Sequence, residues 1–237
     1  MAFGLRHISD SDFNAAHSDK VMFSSLALTQ FATASKPFER ARILFAFAQF
    51  EAALAALAQA TETKEVAELR RACYHHLAHW ALETGDLTRA EWAAEQHLRE
   101  DNSGFQSWNA WQAWAVRGEA ASLRGDDAAA LECFNYALGA LPREYAASPE
   151  QASETARLLY LRVAAMVRLR RYAEAIEHWR AAIERDAENA DLWYLGALCW
   201  AQSGRKDEAL RLCLLALTLD ARHLDAGKLK RQLTQSS

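Results

Sequence analysis

The sequence predicts an all-α fold of stacked antiparallel helix pairs, and three observations carry that reading. The first is a repeat. Trp114, Gly118, Gly125, Ala130, Phe134, Ala137 and Pro142 set a frame that returns as Trp193, Ala197, Gly204, Ala209, Cys213 and Ala216. It returns again as Leu159, Val163, Tyr172, Ala175, Trp179 and Ala182. Ala175 to Ala209, Ala182 to Ala216 and Asp186 to Asp220 are each 34 residues apart, a period of helix–turn–helix units that stack into solenoids. The second is a scarcity of chain breakers: nine Gly and three Pro in 237 residues leave little room for long loops. The third is that 51% of the residues are hydrophobic, enough to line a continuous core.

Taken in order, residues 1–33 stand outside the frame. They begin polar, with Asp10, Asp12 and Asp19, and turn apolar over Val21–Phe31 with no single periodicity. Such an arm has a surface for docking on its own chain or for pairing two copies as a homodimer. Residues 34–221 are expected to form about five helix pairs. The first, over residues 37–60, carries Phe50 and Ala53 on its second helix and lacks a turn glycine. The next has Tyr74, Leu77 and Ala78, then Gly85 and Asp86 at the turn, then Ala90, Ala94 and Leu98. Glycine suits that turn because a helix commonly ends on a left-handed residue.

Extra residues precede two later units, at Phe105–Ala110 and Tyr145–Thr155, and residues 64–84 are also long for a first helix. Ser148 before Pro149 reads as an N-cap followed by proline at the first helical position, so the second insert lengthens a helix. Three first helices are thus expected to project past their partners. Residues 222–237 read as a capping helix and tail, with Ala226, Leu229 and Leu233 on one face and basic residues opposite.

The alanines have a physical role. Paired helices approach to about 8–10 Å only where contact residues are small. Ala130, Ala137, Ala197, Ala209 and Ala216 supply those positions, and Trp114, Phe134, Trp179, Trp193 and Trp200 fill the holes between them. Cys73, Cys133, Cys199 and Cys213 fall inside helical patterns without any C-x-x-C pair, and read as small core residues in a reducing, cytoplasmic setting. The net charge of −4 lacks the basic stripe that nucleic acid requires. No run reaches the ~18 apolar residues of a membrane span. The aspartates before Val21 are wrong for the basic start of a signal peptide.

From about Ala34 to Arg222 the chain resembles the tetratricopeptide repeat (TPR) family. The resemblance implies a right-handed superhelical solenoid whose first helices line a concave groove for extended peptides or helices. Carried onto this chain, the groove positions are His75, His79 and Glu83; Gln112, Ala115, Glu119 and Ser122; Arg157, Tyr160 and Arg168; and Asp191, Tyr194, Leu198 and Gln202. Family members that act as chaperone adaptors clamp a terminal carboxylate with Lys and Asn. Here those positions hold His75, His79, Ala115, Glu119, Tyr160 and Ala164, so the clamp is absent.

Three clusters invite sharper chemistry. His75 and His79, with His76 beside them, have the i, i+4 spacing of a zinc pair, but no third ligand or H-E-x-x-H motif accompanies them. They are read as groove lining, with no metal and no cofactor. Trp108, Trp111 and Trp114 form a stripe in which Trp114 is expected in the core, and Trp108, in the insert, is the one of the three best placed for exposure, which the sequence does not decide. Arg157, Arg162, Arg168, Arg170 and Arg171 make one helix basic, read as a solvated face, with Arg157 and Arg168 available to an acidic partner segment. No nucleophile elbow, phosphate loop or dinucleotide fingerprint occurs. The expected function is therefore a non-enzymatic scaffold or adaptor that binds a protein segment. A secretion-type chaperone using the N-terminal arm is the alternative, and a metal-dependent enzyme built on the histidines the third reading.

Overall fold

A computed structural model describes residues 36–101, 110–141 and 149–235. The arm at residues 1–33, Trp108, most of the first insert and the start of the second lie outside them. The described residues form eleven helices and no strand. In chain order these are α1 (Pro37–Ala46), α2 (Phe50–Leu57), α3 (Lys64–Glu83), α4 (Leu87–Asp101), α5 (Ala110–Leu123), α6 (Asp127–Ala140), α7 (Pro149–Arg168), α8 (Tyr172–Arg185), α9 (Ala190–Gln202), α10 (Lys206–Leu219) and α11 (Leu224–Gln235). Odd and even helices up to α10 pair as five hairpins, and α11 closes the end against α9 and α10. The first helices of two hairpins, α3 and α7, run to 20 residues, whereas α5 has 14.

Local chemistry sets the ends. Thr63 accepts a hydrogen bond from the Val66 amide at 3.3 Å, Asp126 from Ala129 at 3.0 Å, and Asn189 from Leu192 at 3.2 Å. Each satisfies an amide that the first helical turn leaves without a partner. The hairpin turns share one left-handed residue, at φ of 79° for Gly85, 82° for Gly125 and 76° for Gly204. The other two hairpins reach the same bend without glycine, at Ala48 (φ 55°) and Arg170 (φ 59°). That is the physical content of the missing glycine in those units: the turn is kept and strain is accepted.

The repeat alanines are the contact points. Ala90, Ala94, Ala130, Ala137, Ala175, Ala182, Ala209 and Ala216 are all fully buried. Gly118 packs so closely under the Phe134 ring that a Cβ there would stand 2.6 Å from Cε1. Gly196 sits in the same way beneath Trp179 of the preceding hairpin. One apolar cluster runs from α5 through α9, from Trp111 and Phe134 to Trp179 and Cys199, with smaller clusters at either end.

Two packing expectations are corrected. In the second hairpin the inward residue after Ala94 is His97, 1% exposed, while Leu98 is half-buried. Where other hairpins place a large residue and then alanine (Phe134 and Ala137, Trp179 and Ala182), this one places Ala94 and then His97, so the bulk has changed places. In the tryptophan stripe Trp111 is the core residue. Trp114 is half-buried, stacked on Tyr136 at 4.7 Å with the Arg117 guanidinium over its ring.

Candidate partner-binding groove

First helices touch first helices along the stack: α1 meets α3, α3 meets α5, α7 meets α9, and α9 meets α11. No pair of second helices packs to that extent among the described residues. The array is therefore tighter on the first-helix side, and that side is the inner, concave one. The groove residues named from the sequence must be judged on this face.

At the N-terminal end, His75 and His79 are half-buried on α3, with ring centroids 4.6 Å apart. His97 approaches His75 from α4 at 6.1 Å, and the His76 ring lies 5.2 Å from that of His75 while it stacks on Phe50 at 5.1 Å. Among the described residues no group of three or more His, Cys, Asp or Glu side chains is arranged to hold a metal ion. Glu83 is exposed at the end of the helix. On α5, Gln112 and Glu119 are half-exposed, but Ala115, expected to line the groove, is 1% exposed and belongs to the core.

The two arginines are partly exposed, as the basic face suggested, but both are engaged in ion pairs within the chain. Arg157 bonds Glu119 of α5 at 2.8 Å and Glu154 at 2.5 Å. Burial opposes its charge, but these hydrogen bonds and carboxylate charges outweigh that and raise its pKa. Arg168 reaches Asp127 of α6 at 2.5 Å and the Ser122 hydroxyl at 2.7 Å. Both arginines tie the fourth hairpin to the third, a use that neither spacing nor charge announced. Arg162 alone on this helix has a buried Nε with no acceptor, and desolvation lowers its pKa.

The C-terminal end of the groove is aromatic and acidic. Tyr160 and Tyr194 are half-buried, and each phenol pKa is raised, first by burial and then by nearby carboxylates. Asp191 lies in the first turn of α9 with its side chain 62% exposed, and His223 Nε2 approaches it at 3.0 Å. The His223 ring lies 5.1 Å from that of Tyr194. Leu198 is half-buried and Gln202 exposed at the far end of α9. His223 had no place in the sequence reading. Its only signal was a position one helix beyond the last recognised repeat.

No family model and no curated protein matches this chain. Solved structures do. It is similar to YrrB, a TPR protein with an unusual peptide-binding site, at 17% identity and a TM-score of 0.60, over 89% of this chain and 98% of that one. It is similar to MamA from Desulfovibrio magneticus RS-1 at 16% identity and a TM-score of 0.59, over 70% and 84% respectively. The fold is that of the tetratricopeptide-repeat proteins. A third likeness, to the Cut9–Hcn1 hetero-tetramer of the APC/C, has a TM-score of 0.56 at 14% identity and spans 83% of this chain but 35% of that one. At such identities the likeness concerns the TPR solenoid itself, and what fills the groove must be argued from this chain's own side chains.

Two further properties bear on the site. All four cysteines are unpaired and buried, Cys199 and Cys213 included. No helix among the described residues is long and apolar enough to cross a membrane.

Proposed function

We propose that this chain is a non-enzymatic interaction module whose concave TPR face holds a segment of a protein partner. The observation that supports the reading most is the inner layer of first helices, which presents partly exposed polar and aromatic side chains at successive steps. Gln112, Glu119, Tyr160, Tyr194 and Gln202 are its contact candidates, with His75 and His79 at one end. Tyrosine gives wide contact area at low entropy cost, and interface hot spots are enriched in it. Arg157 and Arg168 shape this face through their ion pairs. We read the protein as cytoplasmic on account of its buried thiols, and as acting without nucleic acid or membrane. The chaperone alternative and a homodimer both depend on residues 1–33, outside the described residues.

The test is affinity capture from the native host with variants of the groove and of the arm. Tyr160→Ala is expected to weaken capture while shifting the melting temperature by a few degrees at most. Arg168→Glu is expected to disturb both, because it sets two carboxylates, its own and that of Asp127, against each other. Full capture by Tyr160→Ala and Tyr194→Ala, with loss on changing Phe23 or Leu26, would move the function to the arm and to the chaperone reading.

A further inference from the structure

The groove's charges divide into two groups. Its arginines are spent internally, on Glu119, Glu154 and Asp127. Its carboxylate at Asp191 is not. That side chain is 62% exposed, and its Oδ1 lies 3.0 Å from His223 Nε2, an imidazole that carries charge only when protonated. Tyr194 follows three residues later on the same helix and packs against that histidine at 5.1 Å. Tyr160 stands on α7, which packs directly on α9, and Asp191 is the charge that acts on its phenol after burial itself. The surrounding groups are accounted for. The Arg168 charge also acts on the Tyr160 phenol but is drawn to Asp127 at 2.5 Å, and Asp225, whose charge acts on Tyr194, is paired with Lys228 at 2.9 Å.

Two tyrosine rings beside one exposed carboxylate that pairs with no arginine or lysine among the described residues suit one kind of ligand. The negative face of a phenol ring attracts a cation, and the carboxylate supplies a charge-assisted hydrogen bond. An acidic side chain would meet Asp191 head on, and an apolar one would strip water from it without return. We infer that Tyr160, Asp191 and Tyr194 form an anchoring subsite for a lysine or arginine side chain of the bound segment. This rests on the groove reading above and reverses the charge expected from the sequence, where Arg157 and Arg168 suggested an acidic partner.

The experiment uses three fluorescein-labelled heptapeptides, alike except for two central residues: arginine, glutamine or glutamate. Binding to the full chain is followed by anisotropy at about 50 mM and about 300 mM salt, since a charge-led contact weakens as screening grows. The arginine peptide is expected to bind best, to weaken with salt, and to lose about tenfold in affinity with Asp191→Asn. Tyr160→Phe is expected to keep binding, because the ring face and not the hydroxyl makes the contact, whereas Tyr160→Ala loses it. No arginine-peptide binding up to about 1 mM, equal affinity for the glutamate peptide, or an unchanged Kd in Asp191→Asn would each overturn the inference. Its failure is separable from failure of the groove reading. Partner capture lost with Tyr160→Ala but intact with Asp191→Asn leaves the groove standing and removes the cationic anchor.

Discussion

Replacing Gly196 by alanine should destabilise a helix that alanine ordinarily stabilises. Gly196 lies inside α9, where Ala is favoured over Gly by about 1 kcal/mol. Its added Cβ, however, would stand 2.5 Å from Cε2 of Trp179, 2.7 Å from Nε1 and 2.8 Å from Cζ2. Those are atoms of a rigid ring that is itself buried, edge-on to Trp193 at 5.7 Å, so the ring cannot simply swing away. Its Nε1 also donates to the Leu192 carbonyl at 2.7 Å, and any shift stretches that bond. Overpacking costs about 1–3 kcal/mol and the bond about 0.5–1.5 kcal/mol, so after the helix gain the net loss is about 0.5–3.5 kcal/mol. For a chain of this size that lowers the melting temperature by about 1–14 °C. Thermal and urea unfolding followed by circular dichroism and tryptophan fluorescence would read it. Gly227→Ala is the internal control: nothing lies within 4 Å of a Cβ there, and it should gain about 0.5–1 kcal/mol. If Gly196→Ala stabilises the protein as much as Gly227→Ala does, the close seating of Trp179 is wrong.

Arg170→Gly should raise stability by about 0.5–1 kcal/mol, the left-handed strain released less the entropy glycine adds to the unfolded chain, and a fall in melting temperature would show that Arg170 does more than turn the chain. Burial pushes the thiol of Cys73 up to about 12 and those of Cys199 and Cys213 up to about 11. A thiol reagent at pH 8 should therefore leave all three unmodified in the native protein and reach them only in denaturant. Because these folded-state values lie above the unfolded thiol's, the stability linked to them is fully present below about pH 8.5 and lost as pH rises from there through 11–12. Cys73→Val should flatten that alkaline slope in pH-dependent melting. Excess EDTA should leave the melting temperature unchanged, and a zinc-induced rise that vanishes in His75→Ala would revive the metal reading.

The solenoid was legible because its signal is steric and periodic. Small residues recur where backbones meet, and Ala130, Ala175 and Ala209 are all fully buried. The frame failed where two positions had exchanged their bulk. Ala94 satisfies the pattern at its own place and Leu98 is the next apolar residue, yet His97 fills the hole. The groove was legible only as a set of positions. Its chemistry depended on pairings between hairpins, such as Arg168 with Asp127, 41 residues away, and no local spacing reports those. Arg157 looked available for the same reason: Glu119 stands beside it only once α7 is laid against the third hairpin.

The steps of the inner layer are not alike. α3 meets α5, and α7 meets α9, through helix-on-helix packing, but α5 and α7 have no comparable contact. There the inner side is drawn together by Arg157 with Glu119, while α6 against α7 supplies the outer packing. A spring made of unequal coils bends at the softest one. This coil is softened by salt, because partly exposed ion pairs are screened while apolar packing is strengthened. The spacing between the histidine end and the tyrosine end is thus expected to depend on electrolyte. Small-angle scattering across a salt series would record that as a lengthening molecule whose helix content does not change.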